Sequence, residues 1–177
     1  MQLINNLLLA ATALATLAAA GSVNFVNQDG TTRTIKFTAN SGLEAIPDLI
    51  IKGYGTATQD FPEAWIGNWY SVSEGAADVP GMLGEVRFNG YAGANYFDVS
   101  AIVNPNDKDG VKEIFPKNSN TPVSGCQTFP CSNAYNQPDD IATLSTTDDE
   151  LVCLLGNLSN ERKRGLVSRV SRRFATS

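Results

Sequence analysis

The 177-residue chain contains no histidine at all. That excludes Ser-His-Asp and Cys-His nucleophile systems, His-ligated zinc and any imidazole general base. Cysteine is scarce, with three residues, and charged residues make up only 18%. Two disulfides are therefore impossible within one chain. Beyond the first 20 residues no apolar run is long enough to cross a bilayer, which takes about 20 residues. Any chemistry must come from carboxylates, hydroxyls, amides or thiols.

What is present is a globular composition, 42% apolar, sized for one domain. The net charge of −5 is unevenly spread. Between Ser22 and Asn160 there are 17 acids and seven bases, whereas residues 161–177 hold six bases and one acid. An acidic body is a poor match for a phosphate backbone, so nucleic acid is not an expected partner.

Both ends read as processing signals. Residues 1–20 end in an apolar stretch, Leu7–Ala20, with small residues before Gly21. That is the pattern of a secretory signal peptide, and it predicts an exported protein with no membrane span after cleavage. The domain is then expected over residues 21–156, followed by a disordered basic tail over 157–177. Lys163-Arg164 is a dibasic pair of the kind that processing proteases cut, placing a cleavage after Arg164. Asn157-Leu158-Ser159 is a glycosylation sequon.

Export exposes the cysteines to an oxidising compartment. Three pairings exist among Cys126, Cys131 and Cys153. The expected bridge joins Cys153 to Cys126 or Cys131, closing a loop worth about 3 kcal/mol in the chain-entropy view.

The body alternates with period two. Val23–Val26 precedes an Asp29-Gly30 pair that predicts a hairpin. In Thr31–Thr38, Arg33, Ile35 and Phe37 fall on one face. Further strands are expected at Leu49–Ile51, Ala64–Val72, Gly84–Phe88, Tyr96–Val103 and Glu150–Leu155. The spacing predicts an all-β, antiparallel sandwich. Asn118–Pro138 reads as loop. Asp107-Lys108-Asp109-Gly110 reads as a turn rather than a metal loop, and no metal or cofactor is expected. Thr147 and Glu150 stand at capping-box spacing, which predicts a helical turn.

Two carboxylates stand out. Glu85 and Asp98 lie on neighbouring predicted strands and can face each other across the sheet. Paired carboxyls are the equipment of glycoside hydrolysis. Trp65, Trp69, Tyr70, Tyr91 and Tyr96 are candidate stacking platforms for sugar rings. Trp65 and Trp69 also fit a core pair, and Tyr91 sits in a glycine-rich loop that favours exposure.

Three segments carry a resemblance. Leu83–Phe88 followed by Tyr96–Ser100 is similar to "LAEF … DFYDVSLV". Cys131-Ser132-Asn133-Ala134-Tyr135, then Pro138-Asp139-Asp140, Thr146 and Cys153, resembles "CPDAYSYPQDD … TFTC". Val23–Asn27 is similar to "FEIVN". In this order they resemble the thaumatin-like family, also called osmotin-like or pathogenesis-related family 5. The chain departs from that pattern in being shorter and nearly free of cysteine. The resemblance therefore implies the family's sandwich domain I with the disulfide-rich second domain reduced or missing, as in small fungal members secreted or held in the cell wall or on conidia.

It further implies an acidic surface for polysaccharide, β-1,3-glucan above all, formed by Glu85, Asp98, Asp139 and Asp140 beside Tyr91. The family's arginine falls on Arg33 or Arg87, and one of its acids is lost or replaced by Asp107. Binding without turnover is the expectation; the alternatives are a weak endo-β-1,3-glucanase using Glu85 and Asp98, and adhesion to host surface or matrix proteins.

Overall fold

The computed structural model describes residues 19–158. Eleven strands form two sheets packed face to face. In chain order they are β1 (Ala19–Asn27), β2 (Arg33–Ala39), β3 (Leu49–Ile51), β4 (Thr56–Pro62), β5 (Ile66–Ser73), β6 (Leu83–Arg87), β7 (Asn95–Ser100), β8 (Val111–Pro116), β9 (Ser124–Gly125), β10 (Leu144–Thr146) and β11 (Glu150–Leu155). One sheet runs β4-β1-β11-β8-β9 and the other β10-β7-β6-β5-β2-β3. All pairs are antiparallel except β1 with β11, where the first and last strands run side by side in the same direction. The expected all-β sandwich is the observed one.

The core lies between the sheets and is aromatic. Alternation turns Val23 and Phe25 of β1 inward toward Ile35 and Phe37 of β2. Trp69 meets Phe25 edge-on with ring centres 5.4 Å apart, and Trp65 meets Phe61 at 4.9 Å. Such pairs add about 0.5–1.5 kcal/mol each beyond their buried area. Both tryptophans are thus spent on packing. Gly84 faces Trp69 across the β5–β6 ladder, and a Cβ there would lie 2.5 Å from the indole. Only glycine fits opposite a ring so placed.

Several expectations are corrected. Asp29-Gly30 does turn the chain, but β1 and β2 belong to different sheets, so the connection is a crossover and not a hairpin. The cause is Arg33. Alternation carries it inward with Ile35, where it is 1% exposed. A guanidinium there must be fully partnered. It donates to Asn27 Oδ1 (3.1 Å), Ser73 Oγ (3.0 Å), Asp29 Oδ2 (2.8 Å) and the Asp109 carbonyl (2.5 Å). The turn is folded around this cation.

No helix forms at Thr147. Thr146 Oγ1 instead accepts from the Asp148 backbone N–H in a tight turn, and Glu150 opens β11. β4 and β8 are strands that the sequence pattern does not announce.

The disulfide joins Cys126 to Cys131, not to Cys153. Cys153 is central in β11 and wholly buried in the aromatic core, with its thiol pushed up to about 12 by burial. A strand residue facing the core cannot reach a loop on the periphery. Residues 1–18 and the pair Lys163-Arg164 lie outside the described residues. Asn157 is the last but one described residue, and it is exposed.

Candidate functional site

The site follows from strand register. In the ladder of β6 with β7, Glu85 lies opposite Asp98 and Arg87 opposite Tyr96. In the ladder of β5 with β6, Asn68 lies opposite Glu85 and Ile66 opposite Arg87. The inward positions of these strands hold Val86, Phe97 and Val99, so the residues between them face away from the core. Two rows of side chains therefore cross the outer face of the six-stranded sheet. One is Asn68, Glu85, Asp98; the other is Ile66, Arg87, Tyr96.

β10 extends both rows. It pairs Leu144 with Phe97 and Ser145 with Tyr96, which sets Thr143 beside Asp98. Together these residues and Asn40 line an open groove of about 260 Å³.

Asp98 is 7% exposed. Thr143 Oγ1 donates to its Oδ2 at 3.1 Å, and the Tyr135 hydroxyl lies 2.9 Å from Thr143 Oγ1. With Thr143 donating onward, the tyrosine is the donor of that second bond. The other carboxylate oxygen of Asp98, Oδ1, is buried with no ordinary donor near it. It faces Glu85.

Burial raises the Asp98 carboxyl, and the Glu85 charge and a hydrogen bond between the two carboxyls raise it further; the Thr143 bond opposes the rise. The outcome is about 7. Two carboxylates in hydrogen-bond contact cannot both ionise at low cost, so one proton is held between them.

Arg87 is exposed at the rim, and among the described residues no carboxylate lies within ion-pair distance of it. The groove thus offers a free guanidinium, a carboxyl pair whose Asp98 member is raised toward neutrality, two amides and one tyrosine ring.

The remaining predicted residues separate. Glu85 and Asp98 come together as expected. Tyr91 is 83% exposed, but it stands beside the groove and not in it; its carbonyl accepts from the Tyr96 hydroxyl at 3.2 Å. Tyr96 is the aromatic that lines the groove.

Asp139 is exposed on the loop after Tyr135. Asp140 folds that loop by accepting from the Asn136 and Gln137 backbone N–H groups at 2.7 and 2.8 Å, which hold its carboxyl below the usual range. Neither acid lines the groove. Arg33 is buried in the interior, so of the two arginine candidates only Arg87 belongs to the site. Asp107 accepts from the backbone of Met82, Asp109 and Gly110 and serves as a turn organiser. Tyr70 is tied to Asp78 at 3.0 Å.

Thr143, Tyr135, Asn40 and Asn68 are the residues that sequence reasoning missed. Asn68 was accessible to it, since it alternates with Trp69 on a predicted strand.

Comparison with known proteins gives one informative match. The chain is 50% identical over 135 residues to the antigenic protein SchS21 of Stachybotrys chartarum, covering 76% of this chain and 94% of that protein. No family model matches the sequence.

Proposed function

We propose that this chain, which belongs to the family of the antigenic protein SchS21, is an exported, wall- or spore-associated protein of thaumatin-like type that holds polysaccharide in the Glu85–Asp98 groove without cleaving it. The observation that carries the reading is the pair of side-chain rows on the outer sheet face, Asn68-Glu85-Asp98 beside Ile66-Arg87-Tyr96. Sugar hydroxyls donate and accept at once. They fit a surface where the carboxyl pair accepts, Arg87 and Asn68 donate, and the Tyr96 ring offers a flat apolar face. The groove is open and smaller than the roughly 300–1,000 Å³ of sites that engulf small ligands. That suits a polymer lying across a surface, and β-glucan is the polymer the sequence resemblance implies.

The closeness of the two carboxyls supports binding without turnover. Retaining and inverting glycosidases leave about 5 Å and about 6.5–9.5 Å between their carboxyls, so that a sugar carbon or a water fits between. Glu85 and Asp98 are in hydrogen-bond contact with each other.

One observation favours the alternative, a weak endo-β-1,3-glucanase: an acid still protonated near neutrality is what a departing glycosidic oxygen needs. The antigenic character named for the relative supports exposure outside the cell, and it is the sole support for adhesion to host proteins.

Retention on insoluble β-1,3-glucan tests the reading. The parent is expected to bind. Glu85→Gln and Tyr96→Ala should each weaken retention by about tenfold, or about 1.4 kcal/mol, with thermal unfolding nearly unchanged. Laminarin should yield no new reducing ends. Release of reducing ends that stops in Glu85→Gln would establish the enzyme instead. Retention on host matrix proteins but not on glucan would overturn both.

A further inference from the structure

Four strands form the edges of the two sheets, β4 and β9 in one and β10 and β3 in the other. Three of them are two or three residues long. A short edge offers little backbone to an incoming chain, which is one way sandwiches stay apart. β4 differs. It runs for seven residues, Thr56–Pro62, and only its inner side is paired, to β1. Among the described residues no backbone hydrogen bond from outside the sheet reaches the run Thr56–Phe61.

The other protective devices are missing too. β4 has no lysine, its only proline is the last residue, and Asp60 is its single charge. The register shift in the β1–β4 pair falls at Ala19/Gly21, so the stretch Thr56–Asp60 pairs without interruption. Thr56, Thr58 and Asp60 are exposed on one face, and β3, which touches β4, adds an Ile50 that is 67% exposed.

We propose that β4 is a self-association edge, at which a second copy of this chain adds its own β4 antiparallel and joins two five-stranded sheets into one of ten. Charge selects both the partner and the register. A two-fold axis through Thr58 sets Thr56 opposite Asp60 and Ala57 opposite Gln59. The threonine hydroxyl then donates toward the carboxylate, and the two Asp60 side chains stay apart. An axis at Asp60 would set like charges face to face, which is destabilising. A single acid exerts little pull on a basic strand, whereas a strand of Thr, Ala and Gln matches itself. Both bodies are acidic, so the dimer tightens as salt rises.

Sedimentation of the full chain across a micromolar concentration series, at low and high salt, provides the test. The expected result is a monomer–dimer equilibrium strengthened by salt. Thr58→Lys and Thr58→Glu each bring like charges together on the axis and should weaken association by about tenfold. Mixing the two variants should restore it, because opposite charges then meet. Thr58 is exposed, so both variants should melt like the parent.

A chain that stays monomeric throughout overturns the proposal. A dimer equally strong in both variants overturns it as well, since another surface must then hold it. Hydrogen exchange separates the last case. The outward amides of Thr56, Thr58 and Asp60, which alternate with those bonded to β1, should exchange faster on dilution, and if these three stay slow in the monomer the chain covers its own edge and the proposal falls.

Discussion

Two of the charges the molecule buries are treated in opposite ways. At one end of the sandwich four of the five N–H donors of Arg33 are answered, by Asn27, Ser73, Asp29 and the Asp109 carbonyl. On the outer face of the six-stranded sheet, Asp98 keeps one buried oxygen without a partner, and the neighbouring Glu85 charge pushes its carboxyl up. The first arrangement is nearly saturated, and the arginine is 1% exposed. The second is incomplete in itself and opens on a groove. A saturated buried charge holds a fold together, whereas an unsaturated one is a place where something else can bind or titrate.

The two clusters also respond to pH with opposite sign. Burial would raise Asp29, but the backbone N–H groups of Asn157 and Thr31, together with Arg33, hold it below the usual carboxylate range. Its contribution to stability is present above about pH 4 and is lost as the pH falls further. Asp98 is raised to about 7, so the folded state holds a proton that the unfolded chain has released. Its contribution is full below about pH 4 and is lost as the pH climbs to about 7.

The largest effect is expected from breaking the saturated cluster. Arg33→Leu strands Asp29 and the polar groups around it, at a cost of about 3–5 kcal/mol in chemical denaturation. Glucan retention by the folded fraction should be unchanged, and a loss of retention would mean that the two clusters are not independent. Next comes Asp98→Asn, whose amide can donate to Glu85 as the protonated acid does. Stability measured from pH 4 to 7 should become flat, with the variant more stable than the parent above pH 7. A parent-like slope would place the titrating group elsewhere.

Thr143→Val is milder. It removes the one bond that restrains the rise of Asp98, so the fall of stability should extend to higher pH, at a cost of about 1 kcal/mol. Tyr91→Ala should be smallest, within about 0.5 kcal/mol in stability and near the parent in glucan retention. A large binding loss there would move the site from the sheet to the loop.

Much of this contrast was legible in the chain. Alternation put Glu85 and Asp98 on adjacent strands, and it put Arg33 on the same face as Ile35 and Phe37. What escaped was whatever depends on distant pairing. Thr143 meets Asp98 because β10 pairs with β7, a contact 45 residues apart in sequence that no local pattern encodes. β4 reads Thr-Ala-Thr-Gln-Asp-Phe and, lying at an edge, needs little apolar alternation to be a strand. β8 hides behind Lys112, a lysine only 4% exposed whose ammonium burial pushes down. The disulfide was misassigned because loop length favours long closures, while burial in β11 removes Cys153 from reach.

The parallel pairing of β1 with β11 has a consequence for how the chain is made. The first strand of the sandwich lies between β4 and the last one. A growing polypeptide can dock β1 on β4 early, but its other side stays open until residue 155 has left the ribosome. Closure of the sheet therefore waits for β11 and is rich in long-range contacts, which predicts slow folding. A messenger truncated even six codons before the end of β11 would yield an unzipped protein whose first strand has lost half its partners.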